Sequence, residues 1–304
     1  MRNREMERFI VFLNNSFVPA SKANVSIFDR GILYGDGLFE TIRAYKGRVF
    51  ALEQHLKRLS LGAKVLRIPL IHASILKTNV CQNIIQQLLE LNNLHDEDSY
   101  IRITLTRGVD YGGLMPRNNI KPTMIIVAKP IASNIQKKQK AGIGAITVDF
   151  SRAYSKISLV KSLNFLDNVI GSMKAMANGA DEAIFLSPDR EVLEGTTSNV
   201  FIVKDGIIKT PPIKSGILTG ITRGFIIDIS ENMGIRVKET TIKTLDVIKS
   251  DEAFITNSII EVVPLIRLNK KSIGRERPGK ITRLLQMEYN KQVKPTRALA
   301  HKGA

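Results

Sequence analysis

Short strand-like runs and amphipathic helical stretches alternate along this chain without a regular strand–helix–strand period, and neighbouring strands are joined by turns of two residues. Parallel strands need long crossovers, so this pattern favours antiparallel sheets packed with helices, an α+β architecture, over one doubly wound sheet. Phe9–Leu13 and Ser16–Val18 flank Asn14-Asn15 as a hairpin would, and Asp205-Gly206 separates Asn199–Lys204 from Ile207–Lys209 in the same way. In Tyr100–Arg107, Ile101, Ile103 and Leu105 alternate with Arg102, Thr104 and Thr106, which predicts a strand with one polar face.

Helices are predicted over Val49–Leu66, where Leu52, Leu56, Leu59, Ala63 and Leu66 share a face and His55 and Arg58 ride along, and over Ser74–Leu91. The lysine-rich stretch 133–142, closed by Gly142, reads as a linker. It would separate an N-terminal domain, 1–132, from a larger C-terminal one, 143–304, whose basic tail from about residue 294 is expected to be disordered. In the second half, Phe165, Val169, Met173 and Met176 form one stripe of a helix over Asn164–Ala177, read as core filler. A further helix is expected over Gly220–Met233, stopped by Gly234.

Composition narrows the function. No apolar run approaches the roughly 20 residues of a membrane span, and no signal-peptide core follows the first arginines, so the expectation is a cytoplasmic protein without membrane contact. Cys81 is the sole cysteine and the four histidines are scattered, which argues against a disulfide and against a metal site. The formal charge of +17 raises nucleic-acid binding, but the basic residues are dispersed and no aromatic side chains interleave with them. Most of the excess therefore reads as solvated surface. Gly35-Asp36-Gly37 is not a dinucleotide fingerprint, because Glu40 stands where its third glycine would be.

In Gly216-Ile-Leu-Thr-Gly220-Ile221-Thr222-Arg223, two glycines and a threonine stand at the mouth of a predicted helix, where free backbone N–H groups and a hydroxyl suit a phosphate. Simple helix capping is the commoner reason for such residues. Asn257 and Ser258 could add donors and Arg58 a charge, and each also fits a solvated loop or helix face.

Seven blocks in order resemble class IV aminotransferases: Asp29 to Arg43 (DRGILYGDGLFETIR), His55-Leu-Lys-Arg58-Leu, Lys161-Ser-Leu-Asn, Asp181-Glu-Ala-Ile, Glu194-Gly-Thr-Thr-Ser-Asn199, Gly216 to Arg223, and Thr256-Asn-Ser-Ile-Ile-Glu261. The resemblance runs from about residue 9 to 290. This resemblance implies a two-domain fold type IV enzyme using pyridoxal 5′-phosphate (PLP), with its active site between the domains and a homodimer or higher homo-oligomer as its assembly. Lys161 would carry the cofactor and move the substrate Cα proton, and Glu194 would keep the pyridine nitrogen protonated. Arg58, Ile221, Thr222 and Ser258 would hold the phosphate, Gly220 would allow its close approach, Leu218 would pack on the ring, and Ser198, Asn199 and Asn257 would line the cofactor.

On the substrate side the resemblance implies Tyr34, Phe39, Arg43, Tyr100, Arg102, Phe165 and Ile259. For Arg43 and Arg102 a salt-bridged strand face is the alternative, and for Phe39, Tyr100 and Phe165 ordinary core packing. Tyr100-Ile-Arg102 resembles branched-chain aminotransferases, which implies ping-pong exchange between a branched-chain L-amino acid and 2-oxoglutarate. Phe165 stands where branched-chain enzymes carry a tyrosine, and Lys161-Ser-Leu-Asn164 and Thr256-Asn-Ser258 look more like D-amino-acid transaminases and aminodeoxychorismate lyases.

Overall fold

The computed structural model describes residues 9–70, 74–148 and 159–293. The expected tail disorder from residue 294 lies outside them. The chain forms two compact units, Met1–Ile131 with Val160–Asn164, and Ala132–Leu159 with Phe165–Ala304.

The first unit is one antiparallel sheet covered by helices. Its strands are β1 (Ile10–Leu13), β2 (Ser16–Pro19), β3 (Gly37–Tyr45), β4 (Arg48–Val49), β5 (Ser99–Thr106) and β6 (Thr123–Pro130), in the spatial order β2-β1-β6-β5-β3-β4. The helices are α1 (Arg30–Tyr34), α2 (Leu52–Leu66) and α3 (Thr78–Leu91). Asn14 takes the left-handed backbone that the tight β1–β2 turn requires, at φ 55°. Leu38 and Ile42 of β3, Ile101, Ile103 and Leu105 of β5, and Leu52, Leu56 and Leu59 of α2 pack with Ile85 and Leu88 of α3 into one core. Burying each such side chain contributes about 1.5–3 kcal/mol, and this shared core holds α2 to the sheet.

In the second unit the strands are β7 (Ile143–Thr147), β8 (Glu182–Leu186), β9 (Val192–Gly195), β10 (Asn199–Lys204), β11 (Ile207–Thr210), β12 (Val237–Glu239), β13 (Glu252–Asn257), β14 (Glu261–Leu268) and β15 (Lys271–Ser272). The helices are α4 (Ile135–Ala141), α5 (Leu166–Ala177), α6 (Ile221–Asn232), α7 (Thr244–Ile248) and α8 (Lys280–Val293). The path β10-β13-β14-β7-β8-β9 returns on itself where Asn199 of β10 pairs with Glu194 of β9, so these strands close a ring. Ile143, Ile184, Val200, Ile202, Ile255 and Val263 belong to the core that this closure encloses.

Three expectations change. The 133–142 segment contains helix α4 rather than a linker; only Ile135 is buried in it, so the sequence offers no apolar period to announce a helix. Val160–Asn164 groups with the first unit, not the second. There the Phe39 N–H donates to the Lys161 carbonyl at 3.0 Å and the Leu163 N–H to the Gly37 carbonyl at 2.9 Å, adding the segment beside β3. Finally, the stripe on α5 is not core: Val169, Met173 and Met176 are 49%, 59% and 74% exposed. The helix instead buries Asn168, Gly171 and Ala175. A Cβ on Gly171 would stand 2.9 Å from the Thr196 methyl, so close approach of the backbone decides which face turns inward.

Candidate active site

β3 gives its two faces different tasks. Leu38, Ile42 and Ala44 enter the core, and Glu40 shares their phase as a carboxylate with no exposed surface. Helix α2 meets it with His55 and Arg58, one turn apart. Arg58 donates from Nε to Glu40 Oε1 at 2.8 Å and from a terminal nitrogen to Oε2 at 2.6 Å, while His55 Nδ1 lies 2.7 Å from Oε2. Burial alone would raise the Glu40 pKa, but the Arg58 charge and the hydrogen bonds from Arg58 and His55 bring it down to about 2. Burial holds the His55 pKa below its ordinary value despite the adjoining carboxylate.

Phe39, Thr41 and Arg43 alternate to the other face, opposite Thr104, Arg102 and Tyr100 of β5. The Arg102 guanidinium lies 3.8 Å from the centroid of the Phe39 ring and the Lys161 Nζ 4.4 Å from it. Arg102 also donates to Thr104 Oγ1 at 3.2 Å. Lys129 Nζ sits 4.8 Å from the Tyr100 ring centroid. Arg43 donates to Asp98 at 2.7 Å and stacks over Tyr45, the ion-paired arrangement weighed above. Four of the substrate candidates therefore share one sheet face, with the amine of Lys161 against Phe39. Tyr34 stands apart from them at the end of α1, beneath the Arg30 guanidinium.

The second unit fixes backbone rather than charge. Glu194 is buried on β9, and its Oε2 accepts the Leu218 N–H at 3.0 Å; Asn199 Nδ2 donates to the Leu218 carbonyl at 3.0 Å. The loop before α6 is thus held from both sides. Gly220 is the N-cap of α6, followed by Ile221 and a buried Thr222, and no side chain caps the helix. A Cβ on Gly220 would stand 1.9 Å from Asn199 Oδ1, so any larger residue there must displace the Asn199 side chain.

Two candidates have their side-chain bonds within the scaffold. The Ser198 hydroxyl donates to Glu182 Oε2 at 2.8 Å. Asn257 donates to the Thr197 carbonyl at 3.1 Å, and its Oδ1 accepts the N–H groups of Ile259 and Ile260 at 2.9 and 2.8 Å, which shapes the turn carrying Ser258 and Ile259. Phe165 is the N-cap residue of α5. Sequence reasoning passed over Glu40 and Glu182 as site residues. Glu40 left a signal, because it occupies an inward phase in Leu38-Phe-Glu40-Thr-Ile42; the partners of Glu182 are up to 16 residues away and leave none.

Residues 37–268 match the family described as Amino-transferase class IV. The chain belongs to this family. It is by class a PLP-dependent transaminase. Among its relatives, a Methanocaldococcus jannaschii protein provisionally named branched-chain-amino-acid aminotransferase is 40% identical over 283 residues, covering 92% of this chain and 94% of that protein. An aminodeoxychorismate lyase of Bacillus subtilis is 31% identical over 94% of this chain and 95% of its own length. A D-alanine aminotransferase of Staphylococcus haemolyticus is 33% identical over 93% and 97%. The branched-chain amino acid aminotransferase of Escherichia coli superposes with a TM-score of 0.87 at 27% identity, covering 96% of this chain and 97% of that one.

The residues of this class IV aminotransferase fit PLP. Its aldehyde requires an amine, its pyridine nitrogen a carboxylate, and its phosphate an uncapped helix start that a glycine keeps open; taken unit by unit, the first has a group of the first kind in Lys161, and the second has groups of the other two kinds in Glu194 and Gly220–Thr222. Among the described residues no group of three or more His, Cys, Asp or Glu could hold a metal ion, and no helix is long and apolar enough to cross a membrane.

Proposed function

We propose that this chain transfers the amino group of a branched-chain L-amino acid to 2-oxoglutarate. The observation that carries this reading is the β3–β5 face, where the Tyr100 ring and the buried Phe39 ring stand with the Arg102 guanidinium and the Lys161 amine, both against Phe39. An amino acid with a hydrocarbon side chain needs this combination: a cation for its carboxylate and rings for its side chain.

When bound, PLP supplies an electron sink for the charge left at the substrate Cα after its proton departs. Lys161 Nζ would take that proton and hold it for its return. Glu194 would hold a proton at the pyridine nitrogen, and its bond to the Leu218 N–H keeps the carboxylate in place. Arg58 from the first unit, and Thr222, Ser258 and the first amides of α6 from the second, would be the groups that hold the phosphate. Arg102 orients the substrate carboxylate, and Phe39 and Tyr100 exclude water from its side chain.

The opposite enantiomer is the second reading, favoured by Phe165 and by Thr256-Asn-Ser258 in the turn that Asn257 shapes. Visible spectra of the purified protein, recorded with L-leucine or with D-alanine, separate the cases. Bleaching of the yellow band by L-leucine alone supports the proposal, and bleaching by D-alanine alone replaces it with a D-amino-acid transaminase. If neither bleaches it, the lyase reaction, releasing pyruvate and 4-aminobenzoate, takes its place.

We further propose a homodimer acting in the cytoplasm, a compartment in which an unpaired cysteine such as Cys81 persists. Support comes from Ile27, Phe28, Ile32, Leu33, Tyr111, Leu114 and Met115, all exposed. They lie on two segments joined by the Asp29–Val109 bridge and by Arg30 bonds to the Gly113 and Leu114 carbonyls. An apolar surface this extensive is what subunits bury. Leu114→Asp with Met115→Asp should shift sedimentation from dimer toward monomer, and an unchanged dimer would place the interface elsewhere.

A further inference from the structure

The sheet face that carries Phe39, Tyr100 and Arg102 has nine positions on β3, β5 and β6, three from each strand. They hold three cations, Arg43, Arg102 and Lys129, and no acid. Arg43 is answered by Asp98, which precedes β5, at 2.7 Å. Arg102 and Lys129 are in no ion pair among the described residues: the first lies on the Phe39 ring and bonds Thr104, and the second lies on the Tyr100 ring. Two cations on one face without an acid raise the local positive potential and attract anions. Lys129 stands directly across the β5–β6 ladder from Tyr100, and Val127 stands across from Arg102. Lys129 and Arg102 are thus diagonal neighbours, about 7–8 Å apart where their side chains leave the sheet, and Tyr100 adjoins both. The carboxyl carbons of an extended five-carbon dicarboxylate lie about 5 Å apart, four bonds of about 1.5 Å in zigzag, so one such molecule can meet both cationic heads.

We propose that Lys129 is a specificity-determining residue for the amino acceptor: it binds the distal carboxylate of 2-oxoglutarate while Arg102 holds the carboxylate beside the keto group. The inference rests on the reading of this face as the substrate face of an aminotransferase. A branched-chain substrate has a hydrocarbon where the dicarboxylate has its second charge, and one pocket must accept both. Lysine suits that double task. Its four-carbon stem is apolar and flexible, and its ammonium is a point charge that can meet a carboxylate or turn out to water. Lys129 is exposed while Tyr100 and Arg102 are half-buried, which leaves this movement open to it.

The holoenzyme tests this with two pairs of ligands. Glutarate and 4-methylpentanoate, a dicarboxylate and a hydrocarbon monocarboxylate that cannot accept an amino group, are titrated by calorimetry. For 2-oxoglutarate and 4-methyl-2-oxopentanoate, kcat/KM is measured with L-valine as donor, or with D-alanine if the protein has the opposite handedness. A hydrogen bond to a charged group contributes about 10–100-fold in affinity, and solvent screening places an exposed lysine at the lower end. Lys129→Met keeps an apolar stem and removes the charge. It is expected to lower the preference for glutarate over 4-methylpentanoate, and the kcat/KM ratio of the two acceptors, by about 10-fold, whereas Lys129→Arg should retain most of both. Unchanged ratios in Lys129→Met would overturn the proposal and leave Lys129 a solvated residue. Equal losses for both kinds of ligand would overturn it too, and would make Lys129 a support of the Tyr100 ring. An unaltered protein that transaminates neither acceptor with either donor would remove the reading of the face and the proposal with it, a result visible before any substitution is made.

Discussion

The two units prepare their site residues by different physics. In the first, charged side chains hold one another: Glu40 with Arg58 and His55, Arg43 with Asp98, and Asp36 with Arg30 and Arg107. In the second, Glu194 and Asn199 grip the backbone of Leu218, and Gly220 leaves the Asn199 side chain room to do so. Charge networks set direction and are sensitive to protonation, whereas backbone clamps set shape and are sensitive to volume. The two units should therefore fail in two distinguishable ways.

The most severe test removes the residue on which neither mechanism can compensate. Lys161→Ala should abolish turnover while circular dichroism and the thermal midpoint stay near those of the unaltered protein; near-normal activity would break the whole assignment. Next comes volume in the second unit. Gly220→Ala must displace the Asn199 side chain, breaking its bond to the Leu218 carbonyl, and overpacking of this kind costs about 1–3 kcal/mol. We expect a lower thermal midpoint and weaker PLP binding, with little dependence on pH. A pH-dependent defect there would erase the contrast.

The smallest effect is the acid response of the first unit. Glu40 has its pKa held at about 2, against 4.5 for an ordinary glutamate, so the stability it contributes is complete above 4.5 and is lost as pH falls from there toward 2. His55 is held below 6.5, so its contribution is complete above 6.5 and declines as pH drops below that value. Melting curves across this range should show two stages, the upper one missing from His55→Gln and the lower one from Glu40→Gln. Asp251 and Glu276 of the second unit also titrate low, but they are solvent-screened and should add little slope. A decline unaltered in both variants would show that Glu40 and His55 do not dominate the acid response.

Much of this was legible before any coordinates. The alternation in Ile101-Arg-Ile-Thr-Leu105 marks β5 and its polar face, and the period of Leu52, Leu56 and Leu59 marks α2, because each records a partition between core and water that repeats within a few residues. The Gly220–Thr222 helix start was visible for a similar reason, as local backbone chemistry written in residue type. Pairing across the fold was not. The closure of β10 on β9 and the addition of Val160–Asn164 beside β3 depend on register between distant segments, which no local pattern encodes. The stripe of Met173 and Met176 misled because apolar periodicity marks a face without saying what it meets, and Gly171 and Ala175 took the inner side through their small size.

The discontinuity of the first unit also governs how the protein can be made and divided. Its last piece, Val160–Asn164, leaves the ribosome only after residues 132–159, which belong to the other unit, have been synthesised. No single cut separates the two, and a gene truncated after Ile131 would encode every strand of the first sheet yet omit Lys161, the lysine proposed to carry the chemistry. Swapping domains between relatives at that apparent boundary would exchange the amine together with the wrong half.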